Sequence, residues 1–147
     1  MKTLMISAIF SGLAFTACSQ DIATKDVPSI IQNAVKAKYP SALTIDWEKE
    51  KDNYVADFKA DSVEYEVLVD AKGNVLMVKQ DIALTDLPAN ISNAISAEFK
   101  DFKIDDTERV EKNGTTYYQV ELEKRFSEKK LVFMADGTKT DAHSYWD

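Results

Sequence analysis

The chain has 147 residues, of which 45% are apolar and 29% are charged, a balance typical of a globular protein. Its formal net charge is −7, which disfavours nucleic acid as a partner because phosphate binding needs clustered lysines and arginines. The same charge disfavours direct docking on anionic lipid headgroups. We therefore expect no nucleic-acid partner, and contact with a membrane only through a lipid anchor.

Residues 1–17 indicate an export signal. Lys2 precedes an apolar stretch over 4–17, which is too short to span a bilayer, since spanning takes roughly 20 residues. It fits the apolar core of a signal peptide. The stretch ends in Leu13-Ala14-Phe15-Thr16-Ala17-Cys18, which resembles a bacterial lipoprotein cleavage site, although Phe15 stands where Leu, Val or Ile is usual. The resemblance implies that Cys18 carries the lipid and becomes the mature N-terminus.

Cys18 is the only cysteine of the chain, so it has no intramolecular disulfide partner. Lipidation explains its presence, and residues 18–25 would then form a lipidated tether. Ser19 after the cysteine resembles lipoproteins that are sorted to an outer membrane. We expect an exported lipoprotein facing the periplasm or in the outer membrane; cleavage after Ser19 would instead give a soluble periplasmic protein.

Two copies of one unit follow the tether. Residues 26–39 align without gaps on residues 86–99, and six of the 14 positions are identical. About one identity would arise by chance among twenty residue types, which favours a duplicated structural unit. We predict one domain over 26–147 with repeats at 26–85 and 86–147.

Each copy begins with a predicted helix. Asp26 and Asp86 are suitable N-caps, and Pro28 and Pro88 suit the first turn, where a missing N–H costs nothing. Apolar residues then recur on one helical face, which predicts a core stripe in each helix. The stripes are Val27, Ile30, Ile31, Ala34, Val35 and Tyr39 in the first copy, and Leu87, Ile91, Ala94, Ile95 and Phe99 in the second.

After each helix the apolar residues alternate with polar ones, which predicts about four antiparallel strands per copy, with one face buried and one wet. Asn113-Gly114 is a strong hairpin signal, and Ala135-Asp136-Gly137 matches Ala71-Lys72-Gly73. A last strand is expected to run toward Tyr145 and Trp146. Ile104 and Val110 flank a polar strand in the second copy. The inward positions of the other predicted strands are Leu43, Ile45, Trp47, Tyr54, Ala56, Phe58, Val63, Tyr65, Val67, Val69, Tyr118, Val120, Leu122, Leu131 and Phe133.

The predicted fold class is α+β: two tandem helix-plus-meander repeats that form an antiparallel sheet, with the helices packed on one face. Tandem Asp-x-Pro helices that end near Tyr-Pro, each followed by a charged meander with glycine turns, resemble the PepSY-like, β-lactamase-inhibitor-like family over residues 26–146. The resemblance implies an exported protein, often a lipoprotein. The β-lactamase inhibitors of this fold carry disulfides, so the resemblance does not transfer their activity to this chain.

The sequence indicates no enzyme, no metal and no cofactor. His143 is the only histidine and is predicted to lie on a surface strand rather than in a metal site. The acids Glu48, Glu50, Glu64, Glu66, Glu121 and Glu123 alternate along strands, which places them on the wet face. A pair of carboxylates close in space would indicate a hydrolase, and Asp105-Asp106 and residues 136–141 resemble calcium loops only faintly.

The wet sheet face and the hairpin tips are the candidate binding surface, with an unidentified envelope protein or peptide as the partner. A contiguous apolar patch there would indicate protein binding. We therefore expect a non-enzymatic binding module; a periplasmic regulator or protease inhibitor that binds a small ligand or a peptide is the alternative. Residues of the face are Val55, Leu68, Tyr117, Val132 and Met134, and the candidate binding residues are Trp47, Leu68, Tyr117, Met134 and Trp146.

Overall fold

The structure is a computed structural model that describes residues 19–147. The predicted signal peptide over 1–17 and the lipidation site at Cys18 lie outside the described residues. Of the predicted tether over 18–25, Gln20–Ile22 instead form a strand that pairs with residues 47–49. Within the described residues, eight strands form one antiparallel sheet in chain order, and two α-helices accompany it, so the α+β class is confirmed. The elements are β1 (Gln20–Ile22), α1 (Ser29–Lys38), β2 (Ile45–Glu50), β3 (Asn53–Ala60), β4 (Val63–Val69), β5 (Val75–Asp81), α2 (Ala89–Glu98), β6 (Lys103–Lys112), β7 (Thr115–Lys124) and β8 (Ser127–Met134).

The predicted aspartate N-caps are wrong in both repeats. Asp26 and Asp86 end short 3₁₀ turns that precede the helices. The backbone N–H of Asp26 donates to the carbonyl of Ala23 at 2.8 Å, so the turn is closed by main-chain atoms. Pro28 occupies the N-cap position, and no side chain caps the helix. A main-chain turn followed by the extended φ and ψ of proline thus starts each helix without the aspartate.

The apolar stripes of the helices form core as predicted, except at Ile30 and Ala34, neither of which belongs to the cluster around α1. Val27, Ile31 and Val35 share a core cluster with sheet residues that include Phe58 and Val67. The corresponding stripe of the second repeat packs with Val120, Leu122 and Phe133. Ile30 is instead more than half exposed. It lies beside the turn that contains Gly73.

The meanders differ from the prediction at their ends. Four strands follow α1, as expected, but only β6, β7 and β8 follow α2. Leu43 was predicted to point inward from a strand, but it precedes β2 and is 94% exposed. The hairpin at Asn113-Gly114 is confirmed, since it joins β6 to β7 and both residues have the positive φ that its tight turn requires.

Equivalent glycine turns support the helices in the two repeats. Gly73 and Gly137 have φ of +86° and +88°, in the region that favours glycine. A Cβ at Gly73 would lie 3.2 Å from the carbonyl oxygen of Ile30, and a Cβ at Gly137 would lie 2.7 Å from that of Asn90. The turn at Gly137 therefore lets α2 approach more closely than a side chain would permit, and the turn at Gly73 brings α1 nearly as close.

The predicted final strand toward Tyr145 and Trp146 is wrong. After the turn at Gly137, only an isolated bridge joins Lys139 to Phe133. The N–H of Thr140 still donates to the carbonyl of Val132 at 2.9 Å, but residues 141–147 form neither helix nor strand. Side chains of the sheet bind this segment in place of a main-chain ladder, as described below.

Substitution of the two equivalent glycines by alanine should destabilise the protein unequally. We expect Gly137→Ala to lower the free energy of unfolding by about 3 kcal/mol, because it adds a backbone clash to an unfavourable φ. Gly73→Ala should cost less, since its contacts are longer. Urea denaturation followed by circular dichroism measures both.

Gly114→Ala is the matched control, because this glycine has φ of +76° but no atom within 4 Å of a built Cβ. It should cost about 1 kcal/mol from φ alone. An equal loss for all three variants would show that close helix approach contributes nothing to stability.

Candidate functional site

A third apolar cluster lies on the sheet and contains no helix residue. Its strand residues are cross-strand neighbours, since Leu68 pairs with Met77, Val110 with Tyr117, and Tyr117 with Met134. We call this surface the Met77 face; its apolar residues are Leu68, Met77, Val110, Tyr117, Val132 and Met134. The predicted wet face thus carries a small core of its own.

The C-terminal segment, residues 141–147, covers part of the Met77 face. Tyr145 and Trp146 pack against its apolar cluster. The imidazole of His143 stacks on the ring of Tyr117 with centroids 4.3 Å apart and planes 5° from parallel. His143 is therefore half-buried in an irregular segment, and its prediction as a surface strand residue is wrong.

A buried ionic group lies beside this segment. The ammonium of Lys79 on β5 is 2.8 Å from a carboxylate oxygen of Glu66 and 3.3 Å from one of Glu108. Burial acts to lower the pKa of Lys79, but the two carboxylates outweigh it and leave that pKa raised. Burial also raises the pKa of Glu66, although Lys79 opposes it. Glu66 therefore lies on the face that was predicted to be wet, but it is half-buried there by its ion pair with Lys79.

Gln119 joins the ionic group to the C-terminal segment. Its side chain is fully buried, and its Nε2 donates to Glu108 at 2.7 Å and to the carbonyl of Trp146 at 3.0 Å. The N–H of Trp146 donates back to Oε1 of Gln119 at 2.8 Å. Lys79 also donates to the Trp146 carbonyl at 3.1 Å, and its ammonium lies 5.2 Å from the indole centroid. Within residues 19–147, the hydrogen bonds of the Trp146 main chain are therefore made to side chains of the sheet.

Acidic residues crowd a cavity of about 240 Å³ next to the ionic group. Burial, followed by the charges of Asp106, Glu64 and Glu108, raises the pKa of Asp81 to about 6. Asp81 can therefore exchange a proton near neutral pH, which is one property of an acid–base catalyst. The crowding of carboxylates explains this shift without a substrate, and the one cation of the cavity is Lys79, which is already paired. The lining residues are Asp57, Glu64, Tyr65, Glu66, Lys79, Asp81, Asp106 and Glu108.

The turn between β7 and β8 presents an aromatic side chain that the sequence analysis did not single out. Phe126 is 100% exposed. We call residues 124–130 the hairpin tip; they contain four cations and a single acid, Glu128. The equivalent turn of the first repeat carries Asp61 and Ser62 with positive φ and no aromatic residue. Comparison of the two repeats would have revealed that an aromatic residue replaces Ser62 at this position.

The five candidate binding residues lie in different environments. Trp47 is 3% exposed and belongs to the core beside α1; among residues 19–147 its Nε1 finds no hydrogen-bond partner. Tyr117 is 1% exposed beneath His143. Leu68, Met134 and Trp146 are half-buried around the Met77 face. The structure brings four of the five together, and their binding role stays a prediction.

Two further observations concern residues 19–147 only. No group of three or more histidine, cysteine or acidic side chains there has an arrangement that could hold a metal ion. No helix in this part of the chain has both the length and the apolar character needed to cross a membrane.

Solved structures from Bacteroides have the same fold. A BLIP-like protein of Bacteroides fragilis has a TM-score of 0.67 at 28% identity, with 81% of this chain and 92% of that chain covered. A protein of Bacteroides eggerthii, described as periplasmic, has a TM-score of 0.72 at 26% identity, with 77% and 85% covered. A DUF2874 family protein of Bacteroides uniformis has a TM-score of 0.71 at 23% identity, with 76% and 85% covered.

No curated protein is detectably similar in sequence to this chain. The family described as "Putative beta-lactamase-inhibitor-like, PepSY-like" matches it twice, over residues 15–77 and 62–139. The two matches follow the duplication seen in the helices and in the glycine turns. The chain therefore belongs to the PepSY-like family.

Proposed function

We propose that this protein is a non-enzymatic binding module of the cell envelope, which contacts another envelope protein through its hairpin tip and sheet face. The observation that carries the proposal is the complete exposure of Phe126. Burial of a phenylalanine side chain stabilises an interface by about 1.5–3 kcal/mol, and aromatic anchors of this kind dominate many protein interfaces. The family description, which likens the chain to inhibitors, supports a binding role.

The charges around Phe126 favour an acidic partner. Lys124, Arg125, Lys129 and Lys130 flank it in sequence, although the chain as a whole is acidic. Lys124 pairs with Asp101 at 2.8 Å, and Lys130 pairs with Asp147. Complementary charge at a rim mainly raises the association rate and selects the partner. The hairpin tip therefore combines an apolar anchor with a basic rim.

The position of the tip suits a tethered protein. Gln20 pairs with Lys49, so the described chain enters the sheet beside the turn that joins β2 to β3. The alternating strand directions place the turn at Phe126 at the opposite end of the sheet. A tether attached before Gln20 would hold the hairpin tip away from the anchoring surface, where a partner can reach it.

We also propose that both helices cover one face of the sheet and leave the Met77 face to the C-terminal segment. The cross-strand register supports this arrangement. Val67, in the cluster of α1, pairs with Val78, whose neighbour across β6 and β7 is Thr116. Thr116, Val120 and Leu122 lie on the same side of β7, because they are an even number of residues apart. Val120 and Leu122 pack against α2. The strand residues that contact the two helices thus share one side.

The envelope location rests on the signal-like residues 1–17, on Cys18 and on the fold relative described as periplasmic. Lipidation of Cys18 would anchor the protein, because each buried methylene of an acyl chain contributes about 0.8 kcal/mol. Cleavage after Ser19 would give a soluble periplasmic protein with the same binding surface.

Replacement of Phe126 should weaken partner binding without unfolding the protein. A photoreactive amino acid at position 126, introduced in native cells, should crosslink to one dominant envelope protein. Phe126→Ser, which restores the residue of the first repeat, should then weaken binding to that purified protein at least tenfold, about 1.4 kcal/mol.

Leu43→Ser is the matched control, since Leu43 is 94% exposed and lies outside the hairpin tip. It should leave binding unchanged, and neither substitution should alter the melting temperature. The tip is not the binding surface if position 126 crosslinks no more than position 62 does.

Cys18→Ala should release the protein from membranes, because no acyl chain could then be attached. Fractionation of cells and immunoblotting measure the share that sediments with membranes, with Ser19→Ala as the control. Continued sedimentation of Cys18→Ala would contradict lipid anchoring and leave the binding proposal untouched.

A further inference from the structure

We propose that the Met77 face is a peptide-binding groove that the chain's own C-terminal segment fills. The groove would accept an extended peptide that presents an aromatic residue where Trp146 now lies, followed by an acidic residue in the place of Asp147. This site shares Lys130 with the hairpin tip but does not involve Phe126, so it stands or falls independently of the contact proposed for that residue.

Gln119 recognises main chain rather than a particular side chain. Its amide receives the N–H of Trp146 at 2.8 Å and donates to the carbonyl of the same residue at 3.0 Å. This paired contact copies the hydrogen bonds that two strand residues exchange. Since every residue except proline offers the same two groups, the contact can hold another peptide equally well.

The ionic group orients the side-chain amide of Gln119, which binds the peptide main chain. Nε2 of Gln119 donates to Glu108 at 2.7 Å, which orients Oε1 toward the incoming N–H. Glu108 also binds Lys79 at 3.3 Å, and Lys79 donates to the Trp146 carbonyl at 3.1 Å. Buried polar groups of this kind are costly unless satisfied. Gln119 and Lys79 together present one acceptor and two donors to the main chain of Trp146, so an occupant with a free N–H and carbonyl matches them.

Aromatic and acidic side chains complete the match. The Trp146 ring lies 5.2 Å from the Lys79 ammonium, an arrangement that favours aromatic residues at this place. The Tyr145 ring lies 5.2 Å from the ammonium of Lys130, which also pairs with Asp147. An aromatic residue followed by an acid therefore satisfies both lysines of the groove.

The occupant is exchangeable because no strand holds it. The last main-chain bond from this part of the chain to β8 is that of Thr140, and residues 141–147 are bound by side chains. A short tether gives the segment an effective concentration of about 1 mM or more. An external peptide with equal contacts therefore binds the intact chain only weakly until the segment is loosened.

The test uses a fluorescently labelled peptide with the sequence of residues 140–147, blocked at both ends and titrated onto the full chain. Fluorescence anisotropy should show weak binding to the parent protein. Trp146→Pro removes both the ring and the N–H that Gln119 accepts, and it should bind the peptide at least tenfold more tightly. Adding Gln119→Leu to that variant should reverse the gain, and a peptide with alanine in place of tryptophan should not bind.

The variant Phe126→Ser should bind the peptide as the parent does, which separates this result from that of the hairpin tip. The proposal is overturned if folded Trp146→Pro binds the peptide no more tightly than the parent, or if Gln119→Leu has no effect. Should Trp146→Pro lack a native circular dichroism spectrum, Tyr145→Ala with Asp147→Lys replaces it. That variant loses the Tyr145 ring and the ion pair of Asp147. The proposal is then overturned if it binds the peptide no more tightly than the parent, or if adding Gln119→Leu has no effect.

Discussion

The two repeats meet at a lysine that is buried between two glutamates. Lys79 lies on the last strand of the first repeat and binds Glu108 on the first strand of the second, while Glu66 holds it from the other side. A charge removed from water needs partners in good geometry, so this group tolerates little rearrangement. Glu108 of this group also orients Gln119, and Lys79 and Gln119 together hold Trp146.

Duplication supplies the scaffold, and departures from it supply the candidate surfaces. The helices, their 3₁₀ turns and the glycine turns recur almost unchanged in the two copies. The second copy differs in Phe126, which replaces the serine of the equivalent turn, and in a C-terminal segment that continues beyond the last strand. Residues shared by the two copies maintain the fold, whereas residues that differ between the copies form the candidate binding surfaces.

The local sequence pattern predicted the elements that depend on interactions between residues close in sequence. Ile31 and Ile91 lie on helical stripes and are buried, and Asn113-Gly114 forms its hairpin. The aspartate caps failed because main-chain turns ahead of the prolines start the helices. Tyr145 and Trp146 suggested a strand, but tertiary contacts with Gln119 and Lys79 decide their conformation. For the same reason the burial of Tyr117 could not be predicted, because His143 of the remote C-terminal segment stacks on its ring.

An open sheet of eight strands has two edges, β1 and β8. Exposed edges offer unpaired main-chain groups to other chains and are a common origin of aggregation. Here β1 has only three residues, which is too short to template a long partner strand. The other edge carries the exposed lysines Lys129 and Lys130, and Lys139 bridges to it near its end. At high local concentration, these two edges would thereby keep the sheet from extending into that of a neighbouring copy.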